Sequence, residues 1–116
     1  MLFKVLQISD EKFGEISCQF ENDKIKSLAE KELDNGSYTE VCSINMEENK
    51  NYNLIDYLED TFRMTNSIEL PWYTNEYLEV SDYVSEKGGC RSTSKGDIVE
   101  FKDEKYIVGS IGFIKI

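Results

Sequence analysis

The residues with the most chemical potential gather in one heptad, Arg91-Ser92-Thr93-Ser94-Lys95-Gly96-Asp97. Hydroxyls, two cations and a glycine in a single loop can form a backbone nest for a phosphate or carboxylate. Arg91, Ser92, Ser94 and Lys95 are the anion-binding candidates on that reading. The order is not that of a P-loop, in which Gly-Lys-Ser/Thr opens a helix. The competing expectation is structural: Ser92 and Ser94 bond neighbouring backbone, and Arg91 pairs with Asp97 or another nearby acid.

Other catalytic constellations are missing from the chain. It has no histidine, which removes Ser-His-Asp, Cys-His and His-rich metal chemistry. Cys18, Cys42 and Cys90 are odd in number and widely spaced, without C-x-x-C, so neither a disulfide framework nor a zinc site is expected. They read as small buried hydrophobes, with Arg91 expected to lower the thiol pKa of Cys90 somewhat. Glu59-Asp60 and Glu47-Glu48 are adjacent carboxylates on what read as solvated faces. The expectation is a non-enzyme without metal or cofactor. Trp72 and Tyr73, beside Pro71 and Asn75, suit an exposed aromatic anchor of the kind that dominates interfaces. Alternatively Trp72 closes the open edge of the core, its indole N–H on a backbone carbonyl. Trp72, Tyr73, Glu59 and Asp60 are the partner-binding candidates.

Charge bounds the partner. The net charge of −10 is uneven: residues 1–86 carry 19 acids and 7 bases, residues 87–116 carry 4 and 6. Such an acidic body repels a phosphate backbone, so direct non-specific nucleic-acid binding is not expected. It either keeps a small protein in solution or engages a basic partner, an acidic face standing in for nucleic acid. The apolar runs are short, as at Ile107-Val108, whereas a membrane span takes about 20 residues. Met1-Leu2-Phe3-Lys4-Val5 lacks the features of a signal peptide. The cytoplasm is the expected location.

The elements that must position these residues read as one α+β domain over 1–116: an antiparallel sheet, two helices and a C-terminal three-stranded β-meander. Leu2 to Ile8 suits a strand, Ser9 to Lys12 a turn, and Phe13 to Phe20 a second strand with Ile16, Cys18 and Phe20 in period-2 register. Asn22-Asp23 caps a helix over Lys24 to Leu33, with Ile25, Leu28, Ala29 and Leu33 on one face. Asn35-Gly36 ends it, with Gly36 free to take positive φ. Tyr38 to Ile44 is β-branched and aromatic, a strand. After a polar loop, Asn53 with Asp56 forms a carboxylate capping box for a helix from Leu54 to about Thr65, ending at Asn66. From Ser67 to Gly89 the pattern breaks into a long connection, Ile68-Glu69-Leu70-Pro71-Trp72-Tyr73 onward, with a short strand at Leu78-Glu79-Val80. Asp97 to Phe101 alternates, Lys102-Asp103-Glu104 turns, and Lys105 to Val108 and Phe113 to Ile116 complete the meander.

Several segments share an order with a known group. Tyr38-Thr39-Glu40-Val41, Leu58-Glu59-Asp60-Thr61-Phe62 followed by Asn66, Pro71-Trp72-Tyr73-Thr74-Asn75, Arg91 to Val99, and Tyr106-Ile107-Val108 leading to Gly112-Phe113 resemble the YodL-like domain. That group includes related small proteins of phages and conjugative elements. The resemblance covers most of residues 38–116, and residues 1–37 match as a strand-helix unit; Lys95 stands where the group usually has valine. It implies a mobile-element accessory protein in a host bacterial cell, of the sort found beside counter-defence modules. Together with the charge it leads to an expectation of protein–protein binding to a basic host or element-encoded partner, such as a defence nuclease. The alternative is an anion- or nucleotide-binding module using the Arg91–Asp97 loop.

Overall fold

The computed structural model describes residues 1–67 and 70–116. Its elements are β1 (Leu2–Ile8), α1 (Asp10–Ser17), α2 (Asn22–Asp34), β2 (Tyr38–Asn45), α3 (Leu54–Met64), β3 (Glu79–Val80), α4 (Asp82–Lys87), β4 (Ile98–Phe101), β5 (Glu104–Val108) and β6 (Phe113–Lys115), with a 3₁₀ turn at Trp72–Thr74. The strands form one antiparallel sheet in the order β3-β2-β1-β4-β5-β6. The chain is an α+β domain, and its last three strands are sheet neighbours as the sequence predicts.

Strand alternation divides the core between the two faces of the sheet. Leu6, Ile98, Ile107 and Ile114 pair in register across four strands. They pack with Ile16 of α1 and Ile25 and Ala29 of α2. On the opposite face Phe3 and Val99 meet Tyr57 and Leu58 of α3, and Val5, Cys42 and Ile44 meet Trp72 and Val84 of α4. Phe3 has no exposed surface and stacks on Phe101 at 4.5 Å between centroids. Emptying such a site costs about 3–5 kcal/mol. A bulge in β2 sets Val5 opposite Cys42 but Leu6 opposite Glu40. Val41 is the extra residue, and both Val41 and Cys42 are buried in the same cluster.

Two element ends behave as their residues dictate. Asn53 accepts the Asp56 N–H while Asp56 accepts the Asn53 N–H, satisfying two donors that the start of α3 would otherwise leave unpaired. Gly36 takes φ +74, and the Ser37 N–H reaches back to the Glu32 carbonyl at 2.9 Å to close α2.

Three expectations are corrected. Residues 10–17 are helical, and of Ile16, Cys18 and Phe20 only Ile16 is buried, Phe20 being 82% exposed. The acidic pair Asp10-Glu11 falls in the first turn of α1, where the helix dipole favours it. Phe13 and Ile16, three residues apart, then face inward together. Asn22 is inside α2 rather than capping it; its side chain crosses to the β5–β6 connection, donating to the Ile111 carbonyl and accepting from the Ser110 N–H. The stretch expected as a long connection holds the 3₁₀ turn, β3 and α4, which the sequence reading missed except for β3. Its Ile68-Glu69 portion lies outside the described residues. Among the described residues no helix is long and apolar enough to cross a membrane.

Candidate functional site

The heptad does not open outward. Asp97, the residue before β4, has no exposed surface. Arg91 grips it with two parallel bonds, Nη1 to Oδ2 at 2.6 Å and Nη2 to Oδ1 at 2.9 Å. The same carboxylate accepts the Ile8 N–H at 3.0 Å and the Ser94 N–H at 2.8 Å. Each oxygen thus receives two donors, which fits an ionised carboxylate. Arg91 Nη2 also donates to the Ile8 carbonyl at 2.9 Å, so one ion pair ties the end of β1 to the entry of β4.

The surroundings complete this clamp. Phe13 of α1 lies under the guanidinium at 4.0 Å, a cation–π contact. Asp10 stands 3.8 Å from Arg91 Nε and takes the Lys87 ammonium at 2.6 Å. The Arg91 carbonyl accepts both the Trp72 indole N–H at 2.7 Å and Gln7 Nε2 at 3.1 Å. Gln7 in turn donates to Thr93 Oγ1 and accepts the Cys90 thiol. Gly96 lets α1 approach: its φ is +95, and a Cβ there would stand 2.6 Å from Ile16 Cγ2. Tyr38 donates its hydroxyl to the Gly96 carbonyl at 2.7 Å.

Titration follows this geometry. Burial pushes the Asp97 pKa up, against the pull of Arg91 and the two amides. For Arg91, burial acts downward but the bonds and charge of Asp97 outweigh it, so its pKa rises. The two partners differ because the Arg91 side chain keeps 19% exposure and Asp97 none, so desolvation falls hardest on the acid. We take the pair as fully charged at neutral pH because its donor pattern leaves no place for a carboxyl proton. Burial, then the Asp97 and Glu32 charges, raise the Tyr38 phenol. The expected lowering of Cys90 is reversed: burial raises it despite Lys87 and Arg91. Burial also pushes the Cys42 thiol up to about 12, so both are poor nucleophiles at neutral pH.

The candidate residues therefore separate. Arg91 is spent on Asp97. The Ser92 hydroxyl accepts the Ser67 N–H, the Ser94 carbonyl accepts the Asp97 N–H, and Lys95 lies over the Phe20 ring at 4.7 Å. The four do not converge on a shared empty point. Trp72 is 2% exposed and closes the core under its indole bond, so it offers no exposed anchor; Tyr73 is half-buried edge-on against it. Glu59 is exposed on α3, while Asp60 holds Arg63 at 2.9 Å. Among the described residues, no group of three Cys, Asp or Glu could hold a metal ion.

A different surface emerges at the sheet edge. β3 is the outermost strand, and the stretch from Glu76 to Glu86 exposes Glu76, Tyr77, Glu79, Asp82, Tyr83 and Glu86. Tyr77 is 76% exposed. Among the described residues no ion pair engages these four acids. The nearest base in sequence, Lys87, is held by Asp10. The signal for this edge was present in the sequence as alternating acids and tyrosines, but only the position of β3 shows that they share an edge.

The fold and its polar centre define a six-stranded antiparallel α+β domain locked by a buried ion pair. Comparison with protein-family models, with curated proteins and with solved structures finds no match to the chain.

Proposed function

We propose that the protein is a small acidic accessory protein of a phage or plasmid that works in the host cytoplasm by binding another protein. The observation that carries this reading is the β3–α4 edge, where four acids with no ion pair among the described residues flank two exposed tyrosines. Tyrosine supplies large contact area at low entropic cost, and unpaired acids select a basic counterpart and speed its encounter. A defence nuclease with a basic nucleic-acid channel has that chemistry, and the resemblance to YodL-like proteins supplies a matching setting. The anion-binding alternative loses support because Asp97 already occupies Arg91.

The test is retention of a purified basic nuclease by the immobilised protein at about 50 and about 300 mM salt, alongside a gel shift with duplex DNA. Salt-sensitive retention, lost in the Glu79→Lys/Glu86→Lys variant, and no DNA shift are expected. Retention of no basic nuclease from a panel at low salt, or retention indifferent to the double reversal, would refute it.

A further inference from the structure

A second surface complements the acidic edge. Between the C-terminal half of α3 and the β5–β6 connection runs an open groove of about 660 Å³, with Glu59, Phe62, Arg63, Val108, Gly109 and Phe113 in its lining. Phe62 and Phe113 are only partly buried, so the groove has apolar surface beneath a polar rim. On that rim Glu59 has no ion pair among the described residues, and Arg63 is neutralised by Asp60.

The groove's outer wall is held in place. Asn22 bonds both Ser110 and Ile111, and its Oδ1 lies 2.8 Å from where a Cβ on Gly109 would stand. That side-chain bracket fixes a loop tip carrying Ile111, which is 84% exposed. So large an aliphatic group in water is apolar surface that a partner can bury. Phe20, two residues before Asn22, is almost equally exposed.

We infer that this groove receives a segment of the basic partner in which an apolar side chain is flanked by lysine or arginine. The inference rests on the protein-binding reading above. The apolar side chain fills the space over Phe62 and Phe113, beside the loop that carries Ile111. A flanking cation meets Glu59, the charge on the rim that the protein itself leaves unanswered. Arg63 on the same rim is paired with Asp60. Such an arrangement has the apolar centre and polar rim of a working interface.

The test is backbone amide NMR of the intact protein titrated with three blocked peptides, Gly-Lys-Phe-Lys-Gly, Gly-Lys-Ser-Lys-Gly and Gly-Glu-Phe-Glu-Gly. The first is expected to shift the amides of Glu59, Phe62, Ser110, Ile111 and Gly112, and the other two to leave them in place. Glu59→Lys should weaken that binding about fivefold, and Ile111→Ser should weaken it while keeping the dispersed spectrum of the folded protein. Shifts confined to Tyr77, Glu79 and Tyr83 would overturn the groove assignment yet leave the protein-binding function standing. Absence of any shift with the lysine peptides would overturn the groove and remove support from the acidic-surface reading as well. Concentration-dependent shifts of the groove amides without peptide would give the site to a second copy of the chain and overturn the proposed occupant.

Discussion

Replacing Asp97 by alanine is the sharpest probe of the clamp. It strands the Ile8 and Ser94 amides and leaves the Arg91 guanidinium without its counter-charge, its terminal nitrogens keeping only the Ile8 and Ser92 carbonyls. Breaking a buried pair from one side costs about 3–5 kcal/mol. The lower end applies here because Arg91 keeps some exposure and can partly rehydrate. A domain of this length has a total stability of roughly 6–17 kcal/mol, so the variant loses a large fraction of it. Its melting temperature should fall by roughly 12 °C or more. Urea unfolding followed by the fluorescence of Trp72, the only tryptophan, reads this directly, because its indole donates to the Arg91 carbonyl. The Arg91→Met/Asp97→Leu double variant should recover only the part due to the unpaired guanidinium, because the Ile8 and Ser94 amides still lack their acceptor. A cost below about 1 kcal/mol for Asp97→Ala would refute the clamp and return Arg91 to the list of groups free to bind an anion.

Three further outcomes follow from local geometry. Lys102 and Asp103 form the β4–β5 turn with φ of 51° and 63°, so Lys102→Asn/Asp103→Gly should stabilise by about 1 kcal/mol; an unchanged urea midpoint would count against a strained turn. Burial raises the pKa of Glu32, but bonds from Asn35 and Ser37 outweigh it and hold the carboxyl below its usual value. Its contribution is therefore present above the unfolded pKa of about 4.3 and lost as pH falls through the lower folded value. The stability gap between the protein and Glu32→Gln should narrow from pH 7 to pH 3, and a pH-independent gap would contradict this. A thiol reagent should label exposed Cys18 first and half-buried Cys90 more slowly in the native protein, leaving buried Cys42 until denaturant is added; simultaneous labelling of all three would contradict this order.

What the sequence conveyed depended on how local each signal was. The Asn53/Asp56 box, the Gly36 stop and the meander rest on residues a few positions apart, and their expected geometry is present. Helix α1 was missed because its eight residues include Gly14 and bury only Ile16, too little for a helical period to outweigh the alternation through Phe20. Its stability comes from tertiary contact, with Ile16 in the core and Phe13 on Arg91. The heptad advertised its chemistry but not its direction. The Arg91–Asp97 pair was one of the two readings the sequence offered and is the one present; the bond from Arg91 to Ile8, 83 positions away, is visible only in the fold. The Glu76–Glu86 edge was hidden for a related reason, because one long-range ladder to β2 makes it an edge at all.

The central position of β1 has a consequence for how the chain is made. Its partner on one side, β2, emerges soon after it, but its partner on the other is β4. The Ile8 amide waits for a carboxylate 89 positions downstream, roughly 4–18 s of synthesis at about 5–20 residues per second. Until then β1 offers a bare apolar flank, and a nascent β1–β2 hairpin is the species most exposed to misassembly. Arrival of Asp97 opposite Arg91 and Ile8 seats β4 in register against β1 and ends that interval, with β5 and β6 still to add outward.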